Sequence, residues 1–485
     1  MVRLLAVLNV LSVVIALFAL CMLFPLAFSF ALQDAALKAC TQSLLVTVTA
    51  GAGLWAATRN HKRELQTRDG FLLVALVWTV LPAFATLPLM LYLPGLSFTD
   101  AYFETVSGLT TTGATVLSDL DKLPVSINIW RTFLVWVGGM GVIVLAVAIL
   151  PLLGVGGSQI YKAETPGPMK DTKLTPRIAE TAKGLWLVYL SITLACILGM
   201  RMAGMNWTDA MMHAFSTMGL GGFSSHDASF GHWNSPAIEA VTILFMLIAG
   251  INFGTHFLVW RRWSFAPYAR DPEAGLYLLI VVASVFGIAW FLFEHQTYGN
   301  YWMALRFAAF NVVSIATTTG FANTDYSLWP GFAPMWMLFL CCFVTCSGST
   351  GGGIKMIRAE LMARQAIREM TRIIHPRAIV PVKLGGDPVE NNIIFAVLAF
   401  MLVYGGSVIV MVMLLAASGL DIITSVSAVI ACINNTGPGL GQVGPDGTYE
   451  VLSDYQTWIC TFAMLLGRLE LFTLLIVFTP GFWRK

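Results

Sequence analysis

The sequence predicts an all-helical integral membrane protein: four pseudo-symmetric helix–half-helix–helix repeats around a single pore, preceded by two N-terminal transmembrane helices. Three observations predict it. Of the 485 residues, 57% are hydrophobic and only 11% charged, against about 25% charged in an ordinary soluble chain. Apolar runs approaching the roughly 20 residues that a bilayer-crossing helix needs recur along the whole chain. Between them, a short polar run ending in glycine returns four times.

The first apolar run, 4–31, is far longer than the apolar core of about 7–15 residues in a signal peptide. A second run follows at 41–57, so both read as retained helices of an N-terminal pair, 1–70. Pore repeat 1 occupies 71–155, with apolar runs at 71–92 and 127–151. Repeat 2 occupies 183–262, with runs at 184–203 and 236–260. Repeat 3 occupies 273–370, with runs at 274–295 and 333–345. A cytoplasmic basic loop, 371–390, leads into repeat 4 at 391–485, with runs at 391–417 and 456–480.

Inside each repeat lies the polar run. "DAYFETVSGLTTTG" opens at Asp100 and "DAMMHAFSTMGLGG" at Asp209, each beginning Asp-Ala, with Ser107 matching Ser216. "SIATTTGFAN" supplies the third run and "SVSAVIACINNTGPG" the fourth. The aligned glycines are Gly113, Gly222, Gly320 and Gly437, separated by 109, 98 and 117 residues. The segments before them (about 100–110, 209–219, 304–317 and 424–434) are too short to span a bilayer. Each is expected as a re-entrant half-helix followed by an extended strand. Irregular backbone at membrane depth is tolerated only where it is buried or lines a watery cavity, and four such strands around one axis make a pore.

The chemistry of these runs is that of backbone carbonyls. A ring of carbonyl oxygens can replace a cation's hydration shell, and glycine permits the backbone dihedrals that turn the oxygens inward. The negative C-terminal ends of the half-helices favour a cation at the centre. The expected carbonyl donors are Thr111 and Thr112, Leu220 and Gly221, Thr318 and Thr319, and Asn435 and Thr436. Leu220 has no ligating side-chain atom, which favours the backbone as ligand. Simple turns or helix-packing surfaces would explain one such run; four in register argue for a filter.

Two further features bear on gating. "TCSGSTGGGIKMIR", Thr345–Arg358, interrupts the helix after the third run, because four glycines and several hydroxyl residues hold a regular helix poorly. The competing explanation is a static kink. Arg468 is expected near the middle of the last helix, about 18 Å from its start, where a charge is costly and faces a cavity or a partner. It can act as a barrier to cations, or bond loop carbonyls, or do both. Glu470 lies on a different helix face and is a poor partner within the helix. Arg131 and Arg201 are expected near outer helix ends, their charges snorkelling to water, and Arg306 at the start of a half-helix. His213 and Glu104 occupy equivalent repeat positions, with no metal or catalytic cluster read around them.

With the N-terminus inside and one crossing per helix, 22 of the 28 Lys and Arg residues fall on the cytoplasmic side, as the positive-inside rule requires. The outward loops carry Asp100, Glu104, Asp119, Asp121, Asp209, Asp227 and Asp325, an acidic face that attracts cations. The segment 356–389 is strongly basic, and "HPRAIVPVKLGG" within it reads as a hairpin or turn. It can anchor on anionic lipid or dock a cytosolic regulator. The eight cysteines lack CxxC spacing and read as small buried apolar residues.

Together the four repeats, the extra helix pair, "TCSGSTGGGIK" and "GRLELFT" resemble the Trk/Ktr/HKT superfamily of potassium transporters, most closely its bacterial Trk-system membrane subunits. The resemblance covers nearly the whole chain. It implies a potassium-selective pathway in each subunit, with K+ the only bound ion and an intramembrane gate at Thr345, Gly348, Gly351, Gly352 and Gly353 acting with Arg468. It also implies a homodimer in a bacterial inner membrane, both termini cytoplasmic, and a ring of cytosolic regulatory subunits with nucleotide-binding domains of the RCK type. Plant members with serine at the first filter glycine tend to favour sodium; Gly113 therefore favours potassium. The second and fourth runs, "GLGGFS" and "NNTGPG", lack the triple threonine, and no run has the longer TVGYG, so moderate selectivity is expected.

No Walker motif or GxGxxG at a strand–helix junction is present, so nucleotide control is expected from the partner. No nucleic-acid partner is expected. An enzyme would need a nucleophile–base pair or a site such as HExxH, and neither is found. A voltage sensor would need regularly spaced arginines on one helix. Symport with protons or sodium stays open as the alternative to passive conduction, although the repeats run parallel and the prominent midplane charge is an arginine, which does not readily carry protons.

Overall fold

The computed structural model describes residues 2–61, 63, 65–141 and 178–484. The expected helix segment 142–151 and nearly all of the basic stretch 152–183 therefore lie outside the described residues. Among the described residues, five helices are long and apolar enough to cross a membrane: Leu4–Leu32, Arg68–Tyr92, Ala182–Met202, Ala274–Glu294 and Asn391–Ala417. Two further spans are bent pairs, Pro236–Ala249 with Phe253–Arg262 at 93° and Asp454–Arg468 with Phe472–Phe478 at 109°. Outward side chains such as Leu279, Phe286, Leu402 and Met413 stay exposed, as a lipid-facing surface requires.

The four half-helices are Phe98–Leu109, Trp207–Gly219, Tyr301–Ala316 and Ile422–Ile433. Each starts in the same way. The side chains of Ser97, Asn206, Asn300 and Asp421 accept the backbone N–H three residues on, from Asp100, Asp209, Met303 and Thr424, which satisfies a donor that the first turn leaves without a partner. The third half-helix is about one turn longer, 16 residues against 12 or 13.

Each also ends in the same way. Thr111, Leu220, Thr318 and Asn435 take left-handed φ values of 58°, 53°, 62° and 53°. The N–H groups of Thr112, Gly221, Thr319 and Thr436 reach back five residues to Ser107, Ser216, Ser314 and Ala431 at 2.7–3.0 Å. This is the Schellman ending, which turns the chain sharply off the helix.

The helices that return after the filter strands do not run straight through, contrary to the unbroken runs expected at 236–260 and 456–480. The last one stops at Arg468 because Glu470 and Leu471 take φ values of 53° and 46°, which no α-helix accommodates. The run expected at 333–345 is helical only over Phe332–Cys341, and helix resumes at Met356. Two large apolar cores result among the described residues, with two small clusters beside them. One large core joins the N-terminal pair with repeats 1 and 4, and the other joins repeats 2 and 3. The hairpin expected within 375–386 forms at the end of that stretch: Lys383–Leu384 pairs antiparallel with Asp387–Pro388, across Gly385 and Gly386, both at positive φ.

Candidate functional site

The four glycine strands form a closed ring. A side-chain carbon placed on Gly113 would lie 3.0 Å from Gly222 Cα, and one on Gly222 would lie 2.7 Å from Gly320 O. One on Gly320 would meet Pro438 Cδ at 2.9 Å, and one on Gly437 would meet Thr112 O at 2.7 Å, which returns to the first strand. Thr111, Thr112, Leu220, Thr318, Thr319, Asn435 and Thr436 are all fully buried here. The expectation that every filter glycine supplies positive φ needs correction. Gly113, Gly320 and Gly437 do, at 79°, 89° and 97°. Gly222 does not; it is needed because the third strand leaves no room for a side chain. The left-handed residue two positions earlier, never glycine, makes the turn in all four strands.

Hydrogen bonding separates the carbonyls. Among the described residues, the carbonyl oxygens of Thr111, Thr112, Leu220, Thr318, Thr319, Asn435 and Thr436 accept no hydrogen bond, whereas Gly221 O accepts Phe223 N–H at 2.8 Å. The threonine hydroxyls bond one another behind the strands, Thr110 to Thr112 at 2.8 Å and Thr317 to Thr319 at 2.7 Å.

A buried brace supports the first strand. Arg131 and Glu104, each about 1% exposed, pair at 2.8 Å. Arg131 also donates to Asn128 Oδ1 and to Ser224 O of the second repeat, both at 3.1 Å, and lies 4.5 Å from the Phe223 ring centre. Glu104 accepts Val116 N–H and the Thr115 hydroxyl at 3.0 Å. Snorkelling was therefore the wrong expectation for Arg131, because the carboxylate across the strand meets its charge inside the protein. The equivalent residues in repeats 2 and 3 act alike: His213 Nε2 bonds Ser224 Oγ at 2.8 Å, and Asn311 donates to Asn323 at 2.6 Å. Arg306 pairs with Glu239 at 2.7 Å.

Beside this ring lies the glycine-rich segment. Gly352 N–H donates to Thr318 Oγ1 at 2.8 Å, Thr350 Oγ1 to Met218 O at 2.9 Å, and Thr345 Oγ1 to Gly352 O at 2.7 Å. Gly348 and Gly353 take φ values of 74° and 81°, and Gly351 packs against Thr317 and Thr318. Lys355 donates to Gly351 O. Arg468 joins this layer, donating to Thr350 O at 3.2 Å, Gly139 O at 3.1 Å, Thr111 Oγ1 at 3.4 Å and also Gly138 O. It is the last residue of its helix, and the mid-helix position expected for it is corrected by the break at 469–471. Glu470 pairs across the loop with Arg358 at 2.8 Å.

Sequence reasoning missed the anchor of this segment. Glu273, at the start of Ala274–Glu294, accepts Ser347 N–H at 3.1 Å and Ile357 N–H at 2.8 Å, so one carboxyl group clamps both ends of the loop. Burial pushes Glu273 up to about 7. An acidic residue opening an apolar run on the basic side, "RDPEAGLY", was the available signal.

A family model described as TrkH, cation transport protein, matches residues 36–485. The chain is 47% identical to the Trk system potassium uptake protein TrkH of Halomonas elongata, with 99% of each covered. It is 44% identical to the protein of the same name from Escherichia coli, again over 99% of each. Its fold superposes on the crystal structure of the potassium transporter TrkH from Vibrio parahaemolyticus with a TM-score of 0.89 at 42% identity, covering 99% of both chains.

Proposed function

The chain belongs to the TrkH family of cation transport proteins, and from that premise we propose that it takes up potassium through the ring of four capped strands. The observation that carries this reading is the repeated helix ending. It consumes the N–H groups of the two residues before each glycine and leaves their carbonyls to replace a cation's water. Thr111, Thr112, Leu220, Thr318, Thr319, Asn435 and Thr436 are the donors. Gly221 is the weaker eighth, since its oxygen is already engaged.

The gate in this reading is the segment with Thr345, Gly348, Gly351, Gly352 and Gly353, held shut by Arg468. The protein is a transporter rather than an enzyme and works as a homodimer in a bacterial inner membrane, termini inside and half-helices entering from outside. A cytosolic subunit with RCK-type nucleotide-binding domains moves the gate. What supports these assignments is the positive-inside pattern, together with relatives named as Trk system proteins.

The test is flux into liposomes holding the purified protein, with potassium, rubidium and sodium compared under an imposed potential. Potassium flux driven by potential alone is the expected result. Flux that needs a proton or sodium gradient would replace the channel-like mechanism with symport, and no cation flux at all would overturn the reading.

A further inference from the structure

On the proposed orientation, the outer loops that follow the first two filter strands meet at three side chains. Asp121 sits in the turn Leu120–Lys122, His226 four residues past Gly222, and His232 at the end of the turn Ser229–His232. One ligand atom from each lies within 4.8 Å of the others. The two imidazoles stack with centres 3.7 Å apart and planes 10° from parallel, and Asp121 Oδ1 faces His226 Nδ1.

The surroundings hold this group in place. The second oxygen of Asp121 accepts Asp227 N–H at 3.3 Å, and Asp227 accepts Leu120 N–H at 3.1 Å, so the two loops are bonded in both directions. The far nitrogen of His226 lies 3.3 Å from Asp209 Oδ2. Asp209 is itself fixed by Ser225 Oγ at 3.0 Å and Asn206 Nδ2 at 2.8 Å. A carboxylate on the far nitrogen of an imidazole is how proteins orient metal-ligating histidines and settle which nitrogen carries the proton. With Nε2 directed at Asp209, Nδ1 is the nitrogen that donates to Asp121 and that would give up its proton to take a metal.

We propose that Asp121, His226 and His232 bind a divalent transition metal of the zinc class, with Asp209 as the supporting carboxylate. Two imidazoles and one carboxylate suit zinc, cobalt or nickel, with water completing the coordination. Calcium and magnesium prefer all-oxygen shells and are disfavoured. An ion pair alone would need only one histidine; the second, stacked on the first, brings another nitrogen to the same carboxylate. A bound dication would tie repeat 1 to repeat 2 and add positive charge beside the pore mouth, so external zinc should slow potassium entry.

The test uses the full-length protein freed of any histidine tag. Co2+ is titrated while its visible absorption is followed, and Zn2+ is measured by calorimetry. Expected are one ion per chain, displacement of Co2+ by Zn2+, and weakening of about 10–100-fold in Asp209→Asn, the loss typical of a supporting carboxylate, with at least that loss in His232→Ala and Asp121→Asn. His232 is exposed, so its variant should fold, and His375→Ala serves as the control. No Co2+ spectrum, or binding that ignores His232→Ala, overturns the site. Because binding is read without transport, its failure is distinct from failure of the potassium reading. In liposomes, zinc on the outer side should lower wild-type flux but not that of His232→Ala, each relative to its own metal-free rate; binding without slowing overturns the inhibitory role.

Discussion

Arg468 donates to the carbonyl oxygen of Thr350 at 3.2 Å, so the charge at the end of one returning helix and the glycine-rich segment of another repeat form one layer against the filter. On the proposed pathway, a cation leaving the filter would meet that positive charge. Arg468→Ala should therefore raise potassium flux, and since about 1.4 kcal/mol of barrier is a factor of ten in rate, an increase on the order of tenfold is expected. Arg468→Lys keeps the charge but not the four contacts, so its flux should fall between wild type and Arg468→Ala. Liposome flux on well-folded protein decides it; unchanged or lower flux in the alanine variant would remove Arg468 from the barrier.

The loop supplies the second prediction. Shortening Gly348–Gly353 removes both the Thr350 carbonyl and the Gly352 contact to Thr318, and conduction should rise. Combined with Arg468→Ala it should add little, because groups in one network are not additive. A shortened loop that conducts at the wild-type rate would mean a static kink.

The buried pair of Glu104 and Arg131 predicts stability rather than gating. Glu104→Gln leaves the Arg131 charge without its carboxylate, and breaking such a pair costs about 3–5 kcal/mol. Thermal unfolding in detergent should show a fall of many degrees. Potassium selectivity over sodium should drop too, since one of the two oxygens that serve Thr115 and Val116, just past Gly113, becomes an NH2 donor. A variant as stable as wild type would show that the pair is dispensable.

What the sequence made legible was local. The half-helices and their glycines are legible because short apolar segments, the Asp-Ala starts and the Thr-Gly strings lie close together in the chain, and the observed boundaries differ by only a few residues. Three features escaped because distant or backbone effects decide them. The helix ends at Arg468 through left-handed Glu470 and Leu471, residues whose identity gives no warning. Arg131 looked like a surface charge because its partner lies across the filter strand, on the preceding half-helix. The clamp by Glu273 joins residues separated by 74 and 84 positions, with no repeat to reveal it. Gly222 matched its counterparts by alignment, yet it serves close packing where they serve φ.

That clamp gives the last prediction. Glu273 lies just outside the span Ala274–Glu294, and burial pushes its carboxyl up from the ordinary 4.5 to about 7. Asp271 adds to the rise, while the N–H groups of Ser347 and Ile357 and the Lys355 ammonium oppose it. The fold thus favours the neutral acid. Between those two values the folded state holds a proton that the unfolded chain has lost, so stability falls as pH rises. The contribution is complete below about pH 4.5 and is lost as pH passes through about 7. At about 1.4 kcal/mol per pKa unit it amounts to roughly 3 kcal/mol at most. Glu273→Gln cannot ionise and should lack this decline. The measurement is thermal unfolding of both proteins from pH 5 to pH 8, taken as a difference so that other titrating groups cancel. Wild type should lose stability relative to the variant across that window. A difference that stays flat, or runs the other way, would mean that the carboxylate is held ionised as the anchor of the loop.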